Sequence, residues 1–553
     1  MFLIYQLCLS AVLTTTLMPV FLKSGARLGL MDKPGGRHIH ERPVPRVGGM
    51  AMALGIALSL ALLNRDVPLL RGLFAGGLIL LVSGTADDRW DLDYRLKLLC
   101  QCLAVGAAVW LSGLRLGGLG QILPGTSIAL GVMDFPATAF FLLIAINSVN
   151  LADGLDGLAS GLCLLVLTAV AILSFAENNP RPLPVALATA GAITGFLRYN
   201  SHPAQVFMGD AGSQVLGFLV GMSLLVYHEG RGTPNPALLL FLLGVPALDT
   251  ACVMIQRILE GQPLFQADRN HLHHILLRRG LTHEHAVIAL YGLQVLCMAL
   301  AIFLARLPTY PVFVLMLVLF ALFVSGVLAF ARMPFDPLLR FLNRKVLLRL
   351  ESPTETAVSR ARRVIAKVLS AGSLGALAAF LLVGPLWVRP IPHEIGLLAG
   401  ALAAAVCAGR LFSPSTLEFM VKLGAYFCGL YYVSRLGFAF REGVWGMEQL
   451  WLYNRLFHIM GLCYFTALTL DPKTVPLASS DYLLGGIALL LFLIPSDLLK
   501  IYRLHDMGAR IFVLFLCLQS AWYRTRHRPD LLLVPVAASL GLMALLAYWP
   551  WIF

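Results

Sequence analysis

Long apolar runs follow one another through the first 333 residues: 2–21, 47–63, 68–86, 96–113, 136–150, 157–176, 183–197, 211–227, 236–257, 286–305 and 311–331. About 20 apolar residues are what an α-helix needs to cross the hydrocarbon core of a bilayer. In that core each backbone N–H and C=O must find a partner within the protein, and a single apolar run does this as a helix. The expected fold is all-α: a polytopic membrane helix bundle of about 11 spans, followed by about 7 further candidate spans up to Phe553. Composition agrees. Only 13% of the residues are charged, against about 25% in soluble domains. A soluble cytosolic or nuclear protein, a disordered chain and a coiled coil are thereby excluded. No repeat of 20–50 residues is apparent, so a solenoid is not indicated. The ten cysteines lie mostly in apolar runs without a CxxC pair, and point to neither a zinc site nor a disulfide framework. Residues 1–21 lack a basic start and a small-residue cleavage site, and read as a retained first span.

The loops between the runs differ in charge. Segments 23–46, 87–97, 150–156, 198–210 and 257–285 carry 14 Lys or Arg, whereas the opposite loops carry six: Arg65, Arg71, Arg115, Arg181, Arg231 and Arg306. The positive-inside rule places the first set in the cytoplasm and the N-terminus outside. The net charge of +13 then reads as cytoplasmic anchoring against anionic headgroups rather than nucleic-acid binding. Three regions are expected: a membrane core over 1–335, a basic cytoplasmic linker over 336–367 containing Arg340, Arg344, Lys345, Arg349, Arg360, Arg362 and Arg363, and a C-terminal membrane region over 368–553. Lys500, Arg503 and Arg510 fall on the wrong side of simple alternation, so the later span count is less defined.

Four polar clusters sit at span ends on the basic side, as expected for a site at the membrane–cytosol boundary. The first is Asp87-Asp88 within DDRWDLD. Adjacent acids repel unless a cation or a proton role compensates, and on a helix they point about 100° apart, so they should do different jobs. The second is Asn147, Asn150, Asp153 and Asp156, spaced by three. Four such residues cannot share one helix face, and Gly154 and Gly157 permit a break that re-aims the two acids. Their hard oxygens suit Mg²⁺ or a nucleobase edge. The third is Asn200 followed by Phe207-Met-Gly-Asp210-Ala-Gly-Ser. Asp210 reads as a helix N-cap, and a helix N-terminus among small residues favours phosphate and its metal. The fourth is Asp268-Arg269-Asn270-His271-Leu-His273-His274, then Arg278-Arg279. Arg269 and the histidines offer donors to a diphosphate. His271 and His274 are three apart on a helix, but the adjacent Arg charges and lack of Cys argue against zinc there.

Together these pieces resemble the bacterial polyprenyl-phosphate N-acetylhexosamine-1-phosphate transferases, the family that includes the phospho-N-acetylmuramoyl-pentapeptide translocase. The matching segments are Asp32-Lys33-Pro34 with Arg37, His40 and Pro45…Gly48-Gly49; Asp87-Asp88; NSVNLADGLDGLASG from Asn147; FMGDAGS from Phe207; and ADRNHLHHILLRRGLTH. They run in family order across about three fifths of the chain. The resemblance implies Mg²⁺-dependent transfer of a sugar 1-phosphate from a UDP-N-acetylhexosamine to undecaprenyl phosphate, with UMP leaving, in the bacterial cytoplasmic (inner) membrane and with the site facing the cytoplasm. This would be the first membrane step of a cell-envelope polysaccharide pathway. By the same resemblance Asp210 and Asn150 ligate Mg²⁺, with Mn²⁺ as the alternative ion. Asp87 and Asp88 assist the acceptor phosphate or its proton. Asn147 binds substrate, Asp153, Asp156 and Phe207 hold the uridine end, and Asn200, Arg269, His271, His273 and His274 hold the diphosphate and sugar. The HLHH pattern looks like the UDP-N-acetylglucosamine group, with N-acetylgalactosamine and N-acetylfucosamine left open, as is direct attack against a covalent step.

Residues 368–553 have no counterpart in the family core and carry no chemical constellation. They read as a fused membrane domain for assembly or for docking a downstream glycosyltransferase, with a lipid-handling domain as the sharper alternative. A homodimer is also open. Two rival readings are a polytopic transporter and a catalytically silent scaffold for lipid-linked glycan assembly. Transporter carboxylates lie near mid-membrane on broken helices, unlike these. A silent scaffold would lack acids that this chain keeps: Asp87, Asp88, Asp153, Asp156 and Asp210.

Overall fold

A computed structural model describes residues 2–32, 43–63, 66–123, 126–230, 236–262, 270–304 and 309–332, stretches between 365 and 432, Met460, and 530–552. The chain folds as two compact units, 2–336 and 337–553. Arg37, His40, Arg269 and nearly all of the basic stretch 332–367 lie outside the described residues.

Among its described residues, the first unit consists of helices and their connections with two small β-pairs. Its helices are α1 (Phe2–Leu28), α2 (Gly48–Leu63), α3 (Val67–Trp90), α4 (Tyr94–Ser112), α5 (Asp134–Ala152), α6 (Leu158–Ala176), α7 (Leu183–Asn200), α8 (Gly209–Glu229), α9 (Pro236–Leu243), α10 (Val245–Glu260), α11 (Leu272–Arg278), α12 (His283–Leu304) and α13 (Thr309–Arg332). Every one of the eleven expected runs falls in helix, and among the described residues seven helices are long and apolar enough to cross a membrane. The fold is therefore that of an all-α polytopic membrane protein.

Local chemistry sets the boundaries. Asp66 caps α3 through the Leu69 N–H, and Asp93 caps α4 through the Arg95 N–H, as expected of carboxylates at helix starts. α4 ends at Gly113 in the left-handed conformation. The ninth run is two helices, because Gly244 (φ +61°) breaks it. The exposed backbone groups at the break are met by Gln294 of α12, whose Oε1 accepts from Val245 N at 2.8 Å and whose Nε2 donates to Leu242 O at 3.1 Å. Periodicity alone cannot show such a break, since both halves are apolar.

α8 is the axis of the unit. Every residue from Ala211 to His228 is buried, with α2, α3, α5, α6 and α7 packed around it. Outer helices expose large apolar side chains instead: Leu78 and Val82 on α3, Leu103 and Trp110 on α4, and Phe140 on α5. Such outward apolar faces suit lipid tails. Two antiparallel pairs complete the unit: β1 (Met31–Asp32) with β2 (Val44–Pro45), Asp32 opposite Val44, and the hairpin of β3 (Gly118–Leu123) with β4 (Thr126–Ala129).

In the second unit, helices His393–Ala408 and Asp530–Ile552 pack together. Ser539 Oγ lies 2.5 Å from Tyr432 Oη and donates to Leu381 O at 2.7 Å.

Candidate active site

Three of the four polar clusters meet where α3 ends and α8 begins. Asp87 and Asp88, adjacent on the last turn of α3, take different partners. The Asp87 carboxylate accepts from Leu92 N at 2.8 Å and meets the Lys97 ammonium at 2.6 Å. The Asp88 carboxylate accepts from Asp210 N at 2.9 Å and from Ala211 N at 3.1 Å. The reading of Asp210 as an N-cap is thereby corrected. α8 starts at Gly209, Asp210 lies in its first turn, and the carboxylate that satisfies the open N–H groups comes from α3. The reason is steric as well as electrostatic: Gly209 is left-handed (φ +69°), and a Cβ there would run into Asp88. A helix N-terminus carries partial positive charge, so Asp88 is held where its charge is most stabilised, and Asp210 is aimed elsewhere.

Asp210 faces a mixed shell. Asn150 Nδ2, on the last turn of α5, donates to Asp210 Oδ1 at 2.8 Å and to Ser213 Oγ at 2.7 Å. Lys97 Nζ is 3.6 Å from Asp210 Oδ2. Arg46 forms a 2.6 Å ion pair with Asp32 and reaches within 3.9 Å of Asp88. Among the described residues, five carboxylates (Asp32, Asp87, Asp88, Asp153, Asp210) thus share two cations, Lys97 and Arg46. One turn below, Asn147 donates to Gln101 Oε1 at 2.9 Å, and Gln101 donates to Gln214 at 3.3 Å. This ladder ties α4, α5 and α8 together beneath the cluster, so Asn147 is placed in the packing under the site.

The expected break after Asn150 is present. α5 ends at Ala152, α6 begins at Leu158, and Gly157 is left-handed (φ +77°). Asp153 lies in the turn. Desolvation, and then repulsion from Asp210, Asp88 and Asp156, raise its carboxyl to about 7. Because Asp153 reaches solvent, the repulsion is the more durable of these causes. Asn200, expected at the diphosphate, is 3% exposed. Its Oδ1 accepts from Gly157 N at 2.9 Å, and its Nδ2 donates to Val206 O at 2.9 Å. Its amide is spent on backbone, so it shapes the turn rather than meeting a ligand. Asp156 accepts at one oxygen from Ala204 N at 3.1 Å and lies 2.7 Å from His202 Nδ1. Phe207 is half-buried, its N–H donating to Pro45 O and its carbonyl accepting from Gly48 N, both at 2.9 Å. The β2–α2 segment is thereby laid along the approach to α8.

The histidines are less exposed than their motif implies. His271 precedes α11 rather than lying on it, so His271 and His274 do not form a helical i, i+3 pair. His271 is buried, with Nδ1 2.8 Å from Asp249 Oδ2, while Asp249 Oδ1 accepts from Leu272 N at 2.8 Å. His273 is buried against Gly154, where a Cβ would meet its ring. Burial and then its neighbours His274 and His271 lower its pKa to about 3, so it is neutral at physiological pH. His274 is half-buried and is the most accessible of the three.

Lys97, Arg46 and Asp249 carry no motif signal in the sequence, and Ser213 enters it only as the last residue of FMGDAGS. Lys97 and Arg46 looked like ordinary membrane-anchoring cations, and only the fold sets them on carboxylates distant in sequence. The one signal available was the excess of acids in the neighbouring motifs, which calls for cations nearby.

The chain is similar to known proteins over this same region. Residues 70–228 match the family described as glycosyl transferase family 4. A probable undecaprenyl-phosphate N-acetylglucosaminyl 1-phosphate transferase of Bacillus subtilis (strain 168) is 30% identical over 334 residues, covering 59% of this chain and 92% of that protein. An undecaprenyl-phosphate alpha-N-acetylglucosaminyl 1-phosphate transferase of Yersinia pestis is 31% identical over 308 residues, 54% of this chain and 83% of that protein. The protein of that name from Escherichia coli (strain K12) is 32% identical over 324 residues, 57% and 87% of the two chains. With nearly the whole length of such relatives accounted for, and the motif acids gathered at one end of a membrane bundle, the chain belongs to the undecaprenyl-phosphate N-acetylglucosaminyl 1-phosphate transferase family.

Proposed function

We propose that the protein transfers N-acetylglucosamine 1-phosphate from UDP-N-acetylglucosamine to undecaprenyl phosphate and releases UMP. The observation that carries this reading is the cluster around Asp210, where Asp87, Asp88, Asn150 and Lys97 gather at one end of α3, α5 and α8, in a chain that matches nearly the full length of relatives with that name. Sugar-1-phosphate transfer breaks one phosphoanhydride bond and makes another, so no ATP-binding motif is required, and no GxxxxGK[ST] is present. An oxygen of the lipid phosphate attacks the phosphorus that bears the sugar, the P–O bond to UMP breaks, and UMP carries away the electron pair.

The residues present fit Mg²⁺. Asp210 supplies carboxylate oxygens, and Asn150 has a carbonyl oxygen with no partner among the described residues. Hard oxygen donors of this kind suit Mg²⁺. When bound, Mg²⁺ neutralises charge on the donor diphosphate. The chain's own groups do the remaining work. Asp88 fixes the first turn of α8 and with it Asp210. Lys97, between Asp87 and Asp210, is placed to neutralise a phosphate oxygen. Asp87, paired with Lys97, stands on the acceptor side. Asp153, His274 and Arg269 are assigned to the donor.

In the sequence the loops that carry the motif residues are the basic ones, which supports a site facing the cytoplasm of the bacterial inner membrane. An undecaprenyl phosphate acceptor agrees with that placement, since its charged head lies at the interface. The test is UMP release by the purified protein in detergent with UDP-N-acetylglucosamine, undecaprenyl phosphate and Mg²⁺. Release should require both substrates and stop on chelation; no UMP from any UDP-N-acetylhexosamine would overturn the reading.

A further inference from the structure

Beside the Asp210 cluster, three other side chains converge. Asp156 lies in the α5–α6 turn, His202 in the loop after α7, and His283 at the first residue of α12. One ligand atom from each lies within 4.8 Å of the other two. Asp156 Oδ2 is 2.7 Å from His202 Nδ1 and 4.0 Å from His283 Nε2, and the two imidazoles stack at 4.2 Å between centroids. None of the transfer steps proposed above uses the two histidines.

We propose that Asp156, His202 and His283 form a three-ligand site for a borderline divalent transition metal of the Zn²⁺ class, separate from the Asp210–Asn150 position. Three observations support it. First, two imidazoles and one carboxylate are the donor set of Zn²⁺, Co²⁺ and Ni²⁺ rather than of Mg²⁺. Ligands at about 2.0–2.1 Å from a tetrahedral ion stand about 3.3 Å from one another. The observed 2.7 and 4.0 Å bracket that value, and the two rings, stacked within 20° of parallel, have to swing apart to aim both lone pairs at one ion.

Second, His283 is already the tautomer a ligand needs. Its Nε2 accepts the Asp156 backbone N–H at 3.0 Å, so that nitrogen carries a lone pair and Nδ1 carries the proton. His283 Nδ1 is buried and has no hydrogen-bond partner among the described residues. Third, the site is open: the His202 side chain is 40% exposed and Asp156 18%, leaving room for water as a fourth ligand.

His202 Nδ1 and Asp156 Oδ2 share one proton. The ion takes its place: a neutral imidazole carries that proton on Nε2 instead, and an imidazolium gives it to solvent, while the His283 lone pair turns from the Asp156 amide to the ion. Affinity should therefore fall on acidification, as the imidazoles become cations. A bound ion would fasten the 153–157 turn to α12, two segments that otherwise meet here through the Asp156 N–H and the Tyr291 hydroxyl, which donates to Gly157 O at 2.8 Å.

The test is a titration of the full-length, tag-free, chelator-treated protein in detergent with Co²⁺, in excess Mg²⁺. One equivalent should bind, with the visible absorption of a four- or five-coordinate nitrogen–oxygen site, and Zn²⁺ should displace it. His202→Gln and His283→Gln should each weaken binding by at least about tenfold and abolish the band. Should His283→Gln prove aggregated by size exclusion, His202→Gln on its exposed loop decides alone. No Co²⁺ bound by the wild type in excess Mg²⁺, or a band retained by the folded His202→Gln protein, overturns the site and leaves a hydrogen-bonded trio. Since the readout is metal and not UMP, failure here is distinct from failure of the transfer reading.

Discussion

Asp87 and Asp88 are neighbours on the last turn of α3, yet one meets Lys97 and the other the start of α8. Asp210→Asn should keep the protein folded in the membrane and lower kcat by at least about 10²-fold, measured as UMP release at saturating Mg²⁺; near-normal turnover would remove Asp210 from the metal. Asp88→Asn makes a different forecast. It weakens one of the two acceptors that aim α8, so the Mg²⁺ concentration for half-maximal activity should rise about 10–100-fold, with partial recovery at high Mg²⁺. A pure loss of turnover with an unchanged Mg²⁺ requirement would instead return Asp88 to the acceptor's proton. Asn200 marks the limit of reading a polar residue by type, since an amide near a motif looks the same whether it holds a ligand or, as here, a turn.

At the scale of elements, the apolar runs were legible because a bilayer permits little besides helix, and the break after Asn150 was legible from its glycines. Other features were not. The ninth run carries Gly244 and Pro246 at its interruption, but membrane helices tolerate both, and Gln294, which satisfies the break, lies 49 residues away. The β3–β4 hairpin lies in a short, Gly-rich loop with no alternating pattern to announce it. The glycines of the Pro45…Gly48-Gly49 and GDAGS motifs acquire a cause only in three dimensions. α2 and α8 cross backbone to backbone at Gly49 and Gly212, where a Cβ on Gly49 would run into Gly212; small residues permit such contacts between membrane helices. Gly49→Ala should therefore push the first turn of α8 off Asp88. We expect activity to fall by at least about tenfold, alongside a lower Tm of roughly 4–8 °C per kcal/mol lost in a small domain and less in one this size. Gly77→Ala on α3, where a Cβ meets nothing within 4 Å, serves as the matched control. Equal behaviour of the two variants would contradict the packing account.

At the scale of the whole molecule, the motif residues from Asp32 to Arg279 all fall within unit 2–336, and the similarity to the relatives covers 54–59% of the chain. We propose that this unit is the transferase core. Truncation after Lys367 should then leave a folded protein that still releases UMP in detergent, normalised to the folded fraction. A truncated protein that folds and binds UDP-sugar yet cannot transfer would assign part of the lipid site to residues 368–553. The central claim is that sugar and phosphate move together, and labelling tests it most directly. UDP-N-acetylglucosamine carrying one label in the sugar and another in the sugar-linked phosphate is incubated with undecaprenyl phosphate, Mg²⁺ and the purified protein, and the lipid is extracted. Both labels should enter the lipid at a one-to-one ratio, with unlabelled UMP in the aqueous phase and neither label transferred by Asp210→Asn. Sugar label in the lipid without its phosphate, with UDP as the product, would contradict it.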